Sequence, residues 1–298
     1  MSQSLSYSRG ARGFIVMQFQ QALARITRLS IKADGVFGPI TESAVALLSH
    51  LESPSTSAGP NELAAVGLAW PDEFTRAMAL VSALEGTGFG GMNAIDIDGA
   101  GVTLGIAGFT TASGEVQELI AKFLSADPAA VDCLTPADRK TIFQLLQPGS
   151  TRLQWESFFY GPSGSVRNQV RETVTQWGQH PGMVSCQLEM ARHRFWERAV
   201  IDADRLGFVS TRARLFFLDV AIQNGGWRAS HLAVASRMIK FHSEREMDRL
   251  EAAACAVAAC AREKWKNDVL TRKQAIAKGE GIVHGVKISL SAQAIEPG

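Results

Sequence analysis

Residues 83–110 read ALEGTGFGGMNAIDIDGAGVTLGIAGFT. Upstream, Pro71 to Leu84 has a proline near its first turn and Gly86-Thr87-Gly88 as a stop, so the pattern predicts a helix. Phe74, Met78, Val81 and Glu85 stand at i, i+4, i+7 and i+11, on one helical face. The last member of an apolar stripe is thus a carboxylate, placed at the negative end of the helix. Partial burial and the helix dipole both disfavour its charged form, which predicts a raised pKa and a general acid near neutral pH. Beyond the glycine-rich turn, Ala94 to Asp98 alternates, with Ile95 and Ile97 on one side and Asp96 and Asp98 on the other. Asp98-Gly99-Ala100-Gly101 is a turn signal, and Val102-Thr103-Leu104 resumes the alternation as a return strand. A protonated acid on a helix end facing an ionised carboxylate on a hairpin is the pair that glycoside hydrolysis uses.

Glu85, followed by Asp98-Gly99-x-Gly101-x-Thr103-x-Gly105-Ile106-x-Gly108-Phe109, resembles the catalytic segment of the family 46 chitosanases and their peptidoglycan-cleaving relatives in the lysozyme superfamily. The resemblance implies a mainly α-helical, lysozyme-like domain with a short catalytic β-hairpin. It also implies roles: Glu85 as general acid, Asp98 as general base, and Thr103 as the residue that helps hold the attacking water. Glu85 is followed by Gly-Thr-Gly, and the spacing from acid to base is short for a chitosanase. A shorter connection narrows the cleft, which counts against chitosan as the substrate more than against the chemistry. Asp96 shares a face with Asp98 and is the rival base. Two later stretches extend the resemblance. Residues 213–225, ARLFFLDVAIQNG, look like the family's helix in which an aspartate follows aromatic residues, which makes Asp219 a secondary candidate, as an orienting group or as half of a buried salt bridge. Residues 279–285, GEGIVHG, resemble the closing segment of lysozyme-like enzymes, a glycine-rich loop in which His284 is the second such candidate.

A second resemblance lies near the start. Val16, Phe19, Leu23 and Ile26 outline one helix, and residues 41–48 another, with Asp34-Gly35-Val36-Phe37-Gly38-Pro39 as a turn cluster between them. Asp34, Gly35, Phe37, Gly38, Thr41, Ala44 and Val45 keep the DG-x-FG pattern of the small three-helix peptidoglycan-binding domain, with Gln18 in its first helix. A structural reading accompanies this one, in which Asp34 makes the turn and Thr41 caps the following helix. SPSTSAGP, residues 53–60, has the composition of a linker. The expected division is therefore 1–52 as wall-binding module, 53–70 as linker and 71–298 as hydrolase domain.

Composition bounds the partners. A net charge of +1 without a basic block argues against nucleic acid, and no run of eighteen apolar residues exists to span a membrane. Asp96-x-Asp98-Gly99 lacks the further ligands of a calcium loop, and Cys133, Cys186, Cys255 and Cys260 have no zinc spacing. No metal and no cofactor is expected, and the cysteines are expected to be buried free thiols. MSQSLSYSRGARGF lacks the apolar core of a secretory signal. The expectation is synthesis in the cytoplasm and action in the periplasm or cell wall, after phage lysis through holin pores or delivery by a secretion system with a cognate immunity protein.

The remainder reads as helical: 114–125, 135–147, 151–160, 165–178, 183–206, 211–223 and one long helix over 244–278. Phe195, Trp196, Phe216, Phe217 and Leu218 are expected in the core. A wall-binding module and a lysozyme-like module belong on one substrate, so the leading function is a muramidase-type peptidoglycan hydrolase, inverting if Asp98 activates water. The alternatives are a chitosanase, a lytic transglycosylase that needs only the acid, and a non-catalytic wall-binding protein.

Overall fold

Helix signals in the sequence become helices where caps and apolar spacing agree. A computed structural model describes residues 5–48, 55–86, 88–94, 99–161 and 164–295. In chain order these form α1 (Phe14–Thr27), α2 (Pro39–Ala46), α3 (Pro60–Ala65) and α4 (Glu73–Glu85), followed by three two-residue strands, β1 (Met92–Asn93), β2 (Thr103–Leu104) and β3 (Phe109–Thr110). Next come α5 (Glu115–Ala126), α6 (Pro136–Leu145), α7 (Arg152–Phe159), α8 (Asn168–Trp177), α9 (Pro181–Ala191), α10 (Glu197–Arg205), α11 (Thr211–Asn224) and α12 (Ala229–Ala235). The chain closes with α13 (Glu246–Ala259), α14 (Lys266–Lys278), β4 (Glu280–Val283) and β5 (Val286–Ser289). The architecture is mainly α, as expected. Among the described residues, no helix is long and apolar enough to cross a membrane.

The chain falls into two compact units, Met1–Leu84 with Arg194–Gly298, and Glu85–His193. In the first, α11 carries the core: Phe216, Phe217 and Leu218 are at most 1% exposed, and Phe217 meets Phe208 in a tilted and Trp227 in an edge-on ring contact. Trp196 is buried against Phe74, while Phe195 is half-buried. α13 and α14 pack on each other, and β4–β5 form an antiparallel hairpin beside α14. In the second unit, α5 packs on α9 and on β3, and the antiparallel sheet has the order β1-β2-β3.

Three expectations change. The helix foreseen over 244–278 is broken at residues 260–262 and resumes as α14 after a 3-10 turn, Glu263–Trp265. No glycine or proline marks that break, so local propensity did not reveal it. The glycine loop foreseen at 279–285 is instead the β4–β5 hairpin, turned at His284 (φ 50°) and Gly285 (φ 77°), both in the left-handed region a two-residue hairpin turn requires. All four cysteines are free, but only Cys186 is buried and Cys260 is exposed.

Candidate active site

Glu85 is the last residue of α4, and the apolar stripe behind it is buried as the spacing requires: Phe74 1%, Met78 0% and Val81 0% exposed. The carboxylate itself is half-buried. Gly86 follows with φ 69°, the left-handed conformation that ends a helix, and the chain turns through Gly88–Gly91. This turn runs so close to Gly178, the C-cap of α8, that a Cβ on Gly178 would overlap the Gly90 backbone. Gln187 of α9 then fastens the turn. Its side-chain amide donates to the Phe89 carbonyl (2.7 Å), and its oxygen accepts from the Ile106 amide (3.0 Å). Gln187 is 1% exposed, so this one buried amide ties the segment just after Glu85 to the segment just after β2. Gly105 (φ 75°) makes the approach possible, since a Cβ there would strike the Gln187 amide.

Thr103 lies on β2 opposite Asn93 of β1 and Thr110 of β3. Its hydroxyl donates to the Asn93 carbonyl (3.0 Å), which fixes its rotamer and leaves the oxygen lone pairs for another donor. Asp96 and Asp98 lie outside the described residues, and so does Thr87. The chain on either side of residues 95–98 is held. Tyr160 donates from its hydroxyl to the Ala94 carbonyl (2.7 Å). On the other side, Thr111 Oγ1 accepts from the Val102 amide (3.0 Å) and donates to Glu156 Oε1 (2.8 Å), which also takes Arg152 Nε (2.6 Å). Gly101, with φ 71°, packs directly on Glu156 and Thr111.

No protein-family model matches the chain, and no curated protein matches it. Solved structures do. Native chitosanase from Bacillus subtilis MY002 matches with a TM-score of 0.50 and 18% identity, over 70% of this chain and 88% of that one. A glutamate-to-alanine mutant chitosanase from the same source, complexed with 6 GlcN, matches equally, over 70% and 89%. Another chitosanase complex reaches a TM-score of 0.51 at 19% identity, over 73% and 96%. The fold is that of the chitosanases. At such identities the likeness is one of architecture, and function has to be argued from the site.

Within that fold, the remaining sequence candidates have clear surroundings. Asp219, on α11 of the first unit, is fully buried and takes Arg272 Nε at 2.9 Å and the Lys273 ammonium, which also donates to Gln223. Of the two readings offered for Asp219, the buried salt bridge is the one seen. His284, at the hairpin turn of the same unit, meets Asp268 with Nε2 2.6 Å from the carboxylate. Near the start of the chain, in the first unit, Gln18 lies in α1 as expected, and the DG-x-FG residues gather round Gln20. The Gln20 amide donates to Asp34 (3.2 Å), the Val36 carbonyl and Thr41 Oγ1 (3.1 Å), and accepts from the Gly35 amide. Asp34 makes the expected turn by accepting from the Val36 amide. Thr41 caps nothing: Gly38 is the N-cap of α2, and Thr41 is buried as an acceptor for Gln20. Phe37 is fully buried and stacked on Phe19.

Gln187, Tyr160, Thr111 and Glu156 were missed from sequence. Gln187 alone left a trace there. It sits among Met183, Cys186 and Met190 on the buried face of α9, an amide on an otherwise apolar stripe.

Proposed function

We propose that the protein is a glycoside hydrolase of the glycan strands of peptidoglycan. Glu85 protonates the glycosidic oxygen as the anomeric C–O bond breaks. Asp98 takes a proton from a water that attacks the anomeric carbon on the opposite face, and Thr103 helps hold that water, so configuration inverts. The observation that carries this reading is the Gln187 bridge. A single buried side chain locks the helix-end turn after Glu85 to the turn after β2, the strand bearing Thr103, so the acid's segment and the threonine's segment form one preorganised piece. The motif supplies the roles, and the chitosanase fold supports a glycoside hydrolase. The DG-x-FG module supports peptidoglycan as substrate.

Chitosan hydrolysis is the second reading, favoured by likeness to a chitosanase that was solved with 6 GlcN. Purified sacculi and soluble chitosan, each incubated with the protein and assayed for new reducing ends, separate the two. Turnover of sacculi supports the first reading, and turnover of chitosan alone replaces it with the second. Action in the periplasm or cell wall, reached by phage lysis or by a secretion system, belongs to this proposal.

A further inference from the structure

In the first unit, an open cavity of about 210 Å3 is lined by Arg212, Lys278, Gly279, Glu280, Ser289 and Ser291. Arg212, in the first turn of α11, is only 7% exposed. Its guanidinium donates from Nη1 to the Ala277 carbonyl (3.3 Å), while its Nε is buried with no hydrogen-bond partner. Three buried carboxylates among the described residues sit in contact ion pairs: Asp219 with Arg272 and Lys273, Asp138 with Arg167, and Asp202 with Arg198. Arg212 has no such pair. Glu246 acts on it only from beyond contact, and that carboxylate is already occupied by the Val209 amide and the Ser210 hydroxyl. A desolvated guanidinium with no carboxylate in contact is stabilised by an anion that reaches it.

We propose that this cavity is an oxyanion site, in which Arg212, Lys278 and the hydroxyls of Ser289 and Ser291 receive one carboxylate or phosphate group. Gly279 gives the guanidinium its room. A Cβ at that position would come within 3.2 Å of Arg212 Nη2, and the backbone φ of 86° disfavours any side chain. The Ser289 and Ser291 hydroxyls lie 3.0 Å apart, close enough to serve one ligand. Glu280 also lines the rim, so the lining carries one net positive charge, which suits a small oxyanion rather than a polyanion. The volume is below the roughly 300–1,000 Å3 of sites for drug-sized ligands, so a single acidic group fits and an oligosaccharide does not. This site stands independently of the hydrolase reading.

The test is a titration of the full chain with sodium phosphate and, separately, sodium acetate, at constant ionic strength, following the amide resonances of Gly279 and Ser291. Saturable shifts confined to this corner are expected, with Kd of about 1 mM. Saturation by phosphate alone assigns a phosphate ligand, by acetate alone a carboxylate, and by both a general oxyanion site. Arg212→Gln should abolish saturation. Because that buried position could compromise folding, Lys278→Met, at an exposed position, is the second variant and should weaken binding roughly tenfold. No saturable shift with either anion, or an affinity unchanged in Lys278→Met, would overturn the proposal.

Discussion

At the scale of single residues, the site depends on side chains whose partners are far away in sequence. Thr103→Ala removes one positioned hydroxyl and is expected to lower kcat roughly tenfold to a thousandfold without altering the fold, measured as initial rates on sacculi. Gln187→Leu is a different lesion. It removes the buried hydrogen bonds to the Phe89 carbonyl and the Ile106 amide, so a stability loss of about 1–3 kcal/mol should accompany any loss of rate, read as a denaturant midpoint. Asp219 makes a prediction about pH. Burial alone would raise its carboxyl, but Arg272 and Lys273 outweigh burial and hold it below the ordinary value. With the folded value below the unfolded one, its contribution is present above about pH 4 and is lost as pH falls through the folded value. Asp219→Asn removes the buried carboxylate that Arg272 and Lys273 share and should cost about 3–5 kcal/mol at pH 7. His231 acts in a second window. Burial, with Arg228 and Lys273, pushes it down to about 4, and its Nδ1 accepts from the Arg228 amide, which requires that nitrogen to be unprotonated. The unfolded chain takes up this proton near pH 6.5 and the folded chain does not, so stability should fall between pH 6.5 and about 4. His231→Gln should flatten that decline in urea midpoints compared at pH 7 and pH 5.

At the scale of elements, Gly101 shows how the hairpin arm is seated. Its φ of 71° and its contact with Glu156 and Thr111 leave no space for a methyl group. Gly101→Ala should cost more than the roughly 1–2 kcal/mol of backbone strain alone and should lower activity with it, checked by thermal melting beside a rate assay. Elements whose ends carry chemistry were legible in the sequence. Thr135-Pro136 opens α6 with a side-chain cap, Gly225 closes α11 in the left-handed conformation, and the stripe from Phe74 to Val81 predicted both α4 and the place of Glu85. Ser113, just before α5, bonds Thr110, and Gly114 takes the N-cap position. The break after α13 was illegible because the alanine-rich chain before it and Lys266–Lys278 after it both favour helix, and packing of α13 on α14 overrides that preference. The clamps from Gln187, Tyr160 and Glu156 were illegible for another reason. Each joins residues tens of positions apart, which periodicity does not relate.

At the scale of the whole chain, the expected linker is more than a tether over its described part. Ala58 is fully buried, and its amide and carbonyl exchange hydrogen bonds with Tyr7. Tyr7 also bridges to Gln293, Ser8 donates to the Ala292 carbonyl, and α3 occupies part of the segment read as linker. Deleting residues 1–58 should therefore weaken binding to intact sacculi, the effect expected from losing a wall-binding module, and also lower the melting temperature because these pairings go with it. A sacculus pull-down unaffected by the deletion would remove the wall-binding role. The central claim is that Glu85 is the proton donor of a peptidoglycan glycosidase. Mass spectrometry of digested sacculi tests it most directly, comparing wild type, Glu85→Gln and Asp98→Asn, with melting curves as control for folding. Wild type should release muropeptides with new reducing ends, and both variants should release none while remaining folded. Anhydro-muramic ends from Asp98→Asn would redirect the mechanism to transglycosylation; wild-type product levels from folded Glu85→Gln would contradict the account at its centre.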